Sequence, residues 1–566
     1  MVRTQMMRKL YGGYRGYWCG PGWLILTVLL LVAWGEKACA GQKADRPNII
    51  FILADDLGFS DVGAFGGEIP TPNLDRLAGE GLRFTQFYTA GRCCPTRASV
   101  LTGLYQHEAG VGYMAMDFRV SSYRGELSRD SVTLGEVLGR SGYGTYMSGK
   151  WHLTPNNQPK ASRDSWPLQR GFDRFFGTIH GAESYFLPSR LVRGNDRLRP
   201  EDYTFVDESY YLTDDTTREA IAQLEEHRAE KPEAPFFLYL AYHAPHWPLQ
   251  APPERVTAFE GRYDAGWDTL REERFRRQQE MGLAIPSWSL SERPGSVRAW
   301  ESLNPEEQED LSHRMEVYAA QVSILDDNIG HLTGWLEDEG IYENTLILFF
   351  SDNGACAEGG EGGFGPAEAV NAREPRSLFV TYGQGWANAS NTPFRLYKHY
   401  VHEGGITSPA IMSWPARIQP DLRGRIIREP GHIVDVMPTF IEAAGTRYPW
   451  FNRETRVRPL RGISLLGHLR GERPRREEPL FFEHEGNQGI RAGDWKLVLR
   501  AGGSWQLYNL GEDRSETVDH RELEPERVVR MRNRWRLWAR EVKVLSFSQF
   551  RIIRRSLPGI TLEDEG

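Results

Sequence analysis

Six short stretches of this sequence hold residue types that can do chemistry together. Gly91 to Gly103 reads GRCCPTRASVLTG and sets Cys93 beside Cys94, with Pro95 and Arg97 just after. Asp55-Asp56 follow the run NIIFILA, Lys150 and His152 stand in GKWH, His243 and His246 in HAPHWP, Asp352-Asn353 in SDNG, and Lys398 in RLYKHYVHEGGI. Adjacent cysteines rarely bridge each other, because a disulfide needs converging Cβ atoms. A zinc site would want further Cys or His at short spacing, and none follows. The pair therefore raises the question of whether one thiol is there to be converted into another group. Asp55, Asp56, Asp352 and Asn353 offer only oxygen, which suits hard cations such as Ca²⁺ or Mg²⁺. Arg97, Lys150, His152, His246 and Lys398 add positive or protonatable groups. A cation ringed by such groups suits a tetrahedral oxyanion ester, either sulfate or phosphate. Each stretch alone has a plainer reading: DNG is a turn, DD caps a helix, a lone lysine is a solvated charge, a lone histidine packs structurally. The set carries the reading.

The elements around these stretches explain how they meet. NIIFILA (48–54) is a continuous apolar, β-branched run, the pattern of a strand buried on both faces. TPNLDRLAGEG reads as a helix with Thr71 as N-cap and Pro72 at its first position. Thr133 and Glu136 are spaced for a capping box ahead of a second helix, which leads into the strand YGTYMS. PFFLYLAY is a third strand. A long helix begins at Asn304-Pro305 with Glu307 completing its cap, and its apolar stripe runs Tyr318, Val322, Leu325, Ile329, Leu332, Leu336. TLILFFS then ends at Asp352. Strands alternating with helices predict an α/β fold: a large, mostly parallel sheet with helices on both faces. Sites in such sheets lie beyond the carboxyl ends of the strands, where four of the six stretches fall.

The first forty residues read as an export signal: a basic start, the apolar run WLILTVLLLVAW, and the small-x-small pattern Ala38-Cys39-Ala40. An uncleaved anchor is the runner-up; the run is short for a membrane span, and the membrane is otherwise met only during export. The expected location is the periplasm or the exterior. Removing this leader shifts the formal charge from −8 to −12. An acidic chain excludes nucleic acid as the natural partner. Of five cysteines only Cys93, Cys94 and Cys356 then remain, which is no disulfide framework. A Cys94–Cys356 bridge stays open.

These motifs resemble the type I, formylglycine-dependent sulfatases of the alkaline phosphatase superfamily, and within them the arylsulfatase-like branch. CCPTRASVLTG is similar to the C-x-P-x-R signature, with Cys93, Pro95 and Arg97 at the fixed positions. Thr96 stands where many members have serine, and Cys94 fills the free position. ADDLG, GKWH, APHWPLQAP, SDNG and RLYKHYVHEGGI accompany it in the family's order. WPLQRGFDRFFGTIHG and RAGDWKLV resemble the arylsulfatase-like branch, so the likeness covers the chain from about residue 46 onward. The resemblance implies that a formylglycine-generating enzyme oxidises Cys93 to formylglycine (3-oxoalanine). It implies one Ca²⁺ held by Asp55, Asp56, Asp352 and Asn353, with the converted Cys93 facing the same ion. Arg97 and Lys150 would hold and polarise the aldehyde hydrate, and Asp352 would take a proton from the attacking hydroxyl. His152 would trigger collapse of the hydrate. His246 and Lys398 would hold the sulfate and help protonate the leaving oxygen. An aldehyde hydrate has two hydroxyls on one carbon: one displaces the alcohol, the other drives sulfate out, and water never attacks sulfur. His243 and His402 are read as supporting or structural.

The domain reading is a leader over 1–40, a catalytic α/β domain over 41–470 and a small α+β subdomain over 471–566. The Pro/Arg-rich GERPRREEP marks the linker. After it, LFFEHE, IRAGDWKLVLR and SWQLYNL predict short antiparallel strands. A final helix carries Val528, Met531, Trp535 and Trp538 on one face. This small sheet either closes the cleft or only shields a sheet edge. Two loops, 355–370 and 180–188, are candidate specificity elements, although aromatic core packing is the commoner use of Tyr185 and Phe186. The function expected is hydrolysis of a sulfated small molecule or saccharide. Rival readings are a phosphonate or phosphate ester hydrolase of the same superfamily, or a non-catalytic binder of sulfated glycans if Cys93 is never oxidised.

Overall fold

The computed structural model describes residues 46–156, 162–199, 210–373 and 379–557. The expected leader lies outside the described residues. Eleven strands form the main sheet: β1 (Asn48–Ala54), β2 (Leu82–Tyr88), β3 (Gly144–Lys150), β4 (Arg174–Thr178), β5 (Leu191–Arg193), β6 (Asp196–Arg197), β7 (Phe236–Ala241), β8 (Thr345–Ser351), β9 (Thr407–Ser413), β10 (Arg425–Ile427) and β11 (Gly431–His432). Their order is β10-β2-β9-β8-β1-β7-β3-β4-β5-β6, with β11 beside β2. The centre, β8-β1-β7-β3-β4, is wholly parallel. Antiparallel pairing enters this sheet only where β9 joins β8 and β2, where β5 folds back on β4, and where β6 folds back on β5. The expected mostly parallel sheet therefore holds, with antiparallel margins that apolar runs alone do not announce.

Both faces of the centre are buried, which is why its strands read as unbroken apolar runs. Along β1, Ile50, Ile52 and Ala54 enter one core while Ile49, Phe51 and Leu53 enter the other. The first core packs under helices α1 (Pro72–Glu80), α4 (Leu212–Glu230) and α5 (Pro305–Asp338). The second packs under α2 (Cys93–Thr102), α3 (Leu134–Arg140) and α6 (Val436–Ala443). Two of the three start signals act as read. Thr133 and Glu136 form a reciprocal capping box at α3, and Asn304 and Glu307 form another at α5. Thr71 precedes α1 without capping it; its hydroxyl instead accepts from Gly63 N–H and donates to Asp75. The whole α5 stripe from Tyr318 to Leu336 is buried.

Residues 471–479 carry no helix or strand. A two-strand ribbon, β12 (Phe451–Asn452) with β13 (Thr455–Arg456), precedes them. A four-stranded antiparallel sheet follows: β14 (Leu480–His484), β15 (Asn487–Ala492), β16 (Trp495–Leu499) and β17 (Trp505–Asn509). Helix α7 (Pro525–Glu541) covers one face through Met531, Trp535 and Trp538, packed on Ile490, Leu497 and Leu507. It is not the last helix. Helix α8 (Phe547–Ser556) follows and buries Phe550 against Tyr113 and Phe118 of the main body. The other face of the small sheet packs Phe482, Val498 and Tyr508 on Tyr88, Val401 and Ile406. From Pro47 onward the described chain is one compact unit. No helix among the described residues is long and apolar enough to cross a membrane.

Candidate active site

β8, β1, β7 and β3 are adjacent and parallel, so their carboxyl ends share one edge. Asp55-Asp56 follow β1, Lys150 ends β3 with His152 two residues on, His243 and His246 follow β7, and Asp352-Asn353 follow β8. β2 runs parallel to β8 through the antiparallel β9 between them, so its end feeds the same edge. Five residues after β2, Cys93 opens α2 as its first residue. Lys398 lies nine residues before the start of antiparallel β9, ahead of the helical turn Glu403–Ile406. Close backbone approach is needed here. At Gly149 (φ +109°) a Cβ would fall 1.9 Å from Ala241 O, and at Gly354 one would fall 1.8 Å from Gly404 O. Asp56 (φ +65°) and His152 (φ +57°) lie in the left-handed region, where non-glycine residues are uncommon and often functional.

All ten predicted residues are buried: Cys93, Arg97, Lys150, His152, His246, Lys398, Asp55, Asp56, Asp352 and Asn353. Arg97 lies at the centre of one half. Its Nη2 stands 2.9 Å from Asp352 Oδ2 and 3.3 Å from Asp55 Oδ2, and its Nη1 donates to Lys150 O at 2.8 Å. Lys150 Nζ also donates to Asp55 Oδ2. In the other half, Lys398 Nζ donates to Asp56 Oδ2 at 2.9 Å and lies 3.3 Å from Glu358 Oε1. His246 Nε2 is 3.5 Å from that Asp56 oxygen, and its Nδ1 is held by Trp247 O at 2.7 Å. Asn353 Nδ2 donates to Asp56 Oδ1 at 2.6 Å, and Asp56 N–H donates to Asp352 Oδ1 at 3.3 Å, joining the halves. Cys93 Sγ, Cys94 Sγ and a His152 ring nitrogen lie within 4.8 Å of one another.

The electrostatics separate the groups. Burial would raise the Asp55 carboxyl, but Lys150, His246 and Arg97 more than offset it and hold it well below the ordinary range. Asp352 goes the other way, raised by burial and by the neighbouring Asp55 charge. Two carboxylates sharing one arginine in a dry site resist joint ionisation. Burial lowers His152 to about 4 and lowers His246 as well. A hydrogen bond from Cys94 is the chief cause that draws the Cys93 thiol well below its usual value, while burial pushes Cys94 well up. Cys93, Cys94 and Cys356 are all buried free thiols, so the Cys94–Cys356 bridge is not formed.

The oxygen donors fit a hard divalent cation. Asp55 Oδ1 and Asn353 Oδ1 are buried without any hydrogen-bond partner. Leaving a buried acceptor unmet costs about 1–3 kcal/mol, more for a charged group. Ca²⁺ takes six to eight oxygen ligands and would satisfy both.

Several site residues escaped the sequence reading. Glu358, from the glycine-rich loop, pairs Lys398 and also Arg92 (2.9 Å), and it accepts from Trp247 Nε1 at 2.7 Å. The Lys398 and Arg92 charges hold its carboxyl well below the usual range against the opposing effect of burial. Only its position between SDNG and Lys398 pointed to it. Tyr239, 3.5 Å from Arg97, was hidden in the apolar run of β7. His243 and His402 behave as supports. His243 Nε2 bonds Thr178 Oγ1 at 2.8 Å, and His402 precedes the short helical turn at Glu403. Tyr185 and Phe186 pack in the core, and Tyr185 Oη donates to His246 O at 2.7 Å.

Fold and site together define an α/β hydrolase of oxyanion esters, with acid, base and cation-binding groups at the strand ends of a doubly covered sheet. The sulfatase family model matches residues 47–446. An uncharacterized sulfatase of Schizosaccharomyces pombe is 36% identical over 547 residues, covering 89% of this chain and 95% of its own. An arylsulfatase of Klebsiella aerogenes is 34% identical over 460 residues, covering 78% and 95%. The solved structure of Ps i-CgsB in complex with k-i-k-neocarrahexaose superposes with a TM-score of 0.65 at 25% identity, covering 92% of this chain and 99% of that one. The chain belongs to the sulfatase family and is a sulfuric ester hydrolase.

Proposed function

We propose that this sulfatase cleaves a sulfate monoester of an aryl or carbohydrate alcohol through a formylglycine derived from Cys93, with one Ca²⁺ bound beside it. The observation that carries the reading is the juxtaposition at one strand edge of a helix-opening cysteine, a neutral histidine and a buried oxygen cluster with two unmet acceptors. Asp55, Asp56, Asp352 and Asn353 would hold the cation, which when bound polarises an ester oxygen and balances charge on the leaving sulfate. A hydrated aldehyde at position 93 supplies one hydroxyl to displace the alcohol and a second to expel sulfate.

The chain's own residues fit the remaining tasks. Arg97 and Lys150 sit between Asp55, Asp352 and residue 93, where they orient and polarise the nucleophile. Asp352, raised and paired with Arg97, takes up a proton at Oδ2. His152, kept neutral by burial, takes a proton at a ring nitrogen facing residue 93. Lys398 and His246 flank Asp56; the charged Lys398 holds sulfate oxygens and supplies a proton to the departing alcohol, and His246, its Nε2 3.5 Å from Lys398 Nζ, helps once the bound sulfate favours its protonated form. Cys93 is the first residue of α2, so the positive end of that helix lies at the nucleophile, which favours an anion. Trp247 and the exposed Phe379, with ring centroids 5.6 Å apart, form an aromatic rim for the carrier. The neocarrahexaose complex of Ps i-CgsB supports a saccharide as that carrier. We further propose that residues 1–40 direct export, on their sequence pattern alone, and that a formylglycine-generating enzyme acts on Cys93.

Mass spectrometry of the peptide spanning Cys93 from protein co-produced with such an enzyme is expected to show the aldehyde. Steady-state rates on matched sulfate and phosphate monoesters are expected to favour sulfate. An unmodified thiol in active protein, or a phosphate preference, overturns the reading.

A further inference from the structure

A second cluster of metal-ligating side chains lies outside the strand-end site. His399 follows Lys398, with its backbone at φ +85° and its N–H donating to Gly91 O at 2.8 Å. His484 ends β14, and Glu485, at φ +49°, begins the turn to β15. Asn487 ties the two segments by donating to His399 O at 3.2 Å and to His484 O at 3.0 Å. The histidine rings stand at 85° with centroids 5.5 Å apart. Glu485 Oε1 lies 3.4 Å from His484 Nε2 and 3.9 Å from His399 Nδ1. One ligand atom from each residue falls within 4.8 Å of the other two.

An independent observation points to a ligand. The His484 side chain is fully buried, yet its Nδ1 has no partner and its Nε2 has only the long 3.4 Å contact to Glu485 Oε1. An unsatisfied buried polar group needs a partner. A tetrahedral zinc with metal–ligand distances of about 2.0–2.2 Å places its ligand atoms roughly 3.3–3.6 Å apart, so small side-chain movements close this set on one ion. Arg554 Nη1, 3.8 Å from Glu485 Oε2, engages the other carboxylate oxygen.

We propose that His399, His484 and Glu485 form a second cation site that takes Zn²⁺ or a similar borderline divalent ion. Two imidazoles and one carboxylate select such ions over Ca²⁺, which the all-oxygen strand-end cluster suits. A third of the His399 side chain is open to solvent, giving an entry route and room for water as a fourth ligand. An ion here pins the β14–β15 turn to the segment bearing Lys398, so the small sheet helps to fix an active-site residue.

The test is a Co²⁺ titration of the full-length, Ca²⁺-replete protein, followed by visible absorption. The expected result is a band of a four- or five-coordinate ion, saturating at one Co²⁺ per chain and lacking a sulfur-to-metal charge-transfer band. Zn²⁺ is expected to displace it. Histidine ligands are tuned about 10–100-fold by their outer partners alone, so His399→Ala and Glu485→Gln should each weaken binding by at least that factor. Glu485→Gln is isosteric and carries the test should His399→Ala not fold. The absence of a band overturns the proposal. So does unchanged affinity in both variants, or a sulfur charge-transfer band lost in Cys94→Ser, which would place the ion at Cys93, Cys94 and His152 instead.

Discussion

Two of the buried ionic clusters among the described residues differ in one respect. At the seam between the main body and the small sheet, Lys496 Nζ stands 2.8 Å from Glu403 Oε1 and 2.9 Å from Glu516 Oε1. Arg514 Nη2 stands 2.6 Å from Glu403 Oε2, which also accepts from Tyr88 (3.0 Å) and Thr407 (3.1 Å), and Glu516 Oε2 accepts from Glu403 N–H at 2.9 Å. Every carboxylate oxygen of the seam faces a cation or a donor, Glu516 Oε1 through the Lys496 ammonium alone and without a hydrogen bond. At the strand ends, Asp55 Oδ1 and Asn353 Oδ1 have none. Both clusters match charge against charge, yet only the second leaves acceptors aimed at nothing. A finished network stabilises a join; an unfinished one is shaped for what it binds.

The largest effect that tests this contrast is at Cys93. Cys93→Ala should lower kcat by about 10⁴-fold or more, the scale of removing a covalent nucleophile, while the thermal midpoint stays near that of the parent. Turnover surviving in Cys93→Ala would mean that the nucleophile lies elsewhere. The converse applies at the seam. Removing one partner from a buried ion pair strands the other and costs about 3–5 kcal/mol. Glu403→Ala should therefore lose stability of that order in urea unfolding, while the molecules still folded keep their kcat.

The same contrast gives opposite responses to chelation and to acid. Chelating Ca²⁺ should abolish turnover and lower the melting temperature, both restored by added Ca²⁺. Asp55→Asn should raise the Ca²⁺ concentration needed for half-activity, and an unshifted requirement would remove Asp55 from the ligand set. For acid, Lys496 and Arg514 outweigh burial to hold the Glu403 carboxyl well below its unfolded value. A depressed carboxyl contributes stability that is full above the unfolded value of about 4.5 and lost as pH falls below it. Stability should thus decline below about pH 4.5, and Glu403→Gln should flatten that decline. Glu516 is raised, mainly by burial, and works against this slope, so the variant isolates the Glu403 share.

Much of the strand-end cluster was legible because its chemistry sits where apolar runs stop. Asp55, His246 and Asp352 each follow a strand whose unbroken Ile, Phe and Leu content announces burial on both faces, whereas Lys150 ends the short, mixed strand GTYMSGK. The long helix was legible from Asn304, Glu307 and a periodic stripe. The seam was not. Glu403, Lys496 and Arg514 come from three separate segments, and no spacing links a charged residue to a partner about a hundred positions away. The antiparallel sense of β9 was hidden for a similar reason: SPAIMSWP has the same apolar character in either direction. Glu358 and Tyr239 entered the site through tertiary contacts alone. The alternation of Phe481, which packs beneath Trp538, with Phe482, which faces Tyr88, became readable only once both sides of the small sheet were covered.

The smallest expected effect lies at the rim, where the unfinished cluster meets solvent. Trp247 packs its ring 4.7 Å from His246 and donates to Glu358, so it touches two groups of the sulfate pocket while its other contact, Phe379, is exposed. An aromatic contact of this kind contributes about 0.5–1.5 kcal/mol beyond its area, or roughly 2–10-fold in an equilibrium. Trp247→Phe keeps the ring but removes the hydrogen bond to Glu358; Phe379→Ala removes an outer ring and leaves the pocket's bonds intact. If the rim binds only the carrier, Phe379→Ala should raise KM several-fold for a sulfated saccharide or aryl sulfate at nearly constant kcat. Trp247→Phe should instead lower kcat, because Glu358 then holds Lys398 less firmly. Steady-state kinetics on the two variants separates these roles. A fall in kcat for Phe379→Ala, or a change in KM alone for Trp247→Phe, would place the boundary between binding rim and catalytic pocket elsewhere.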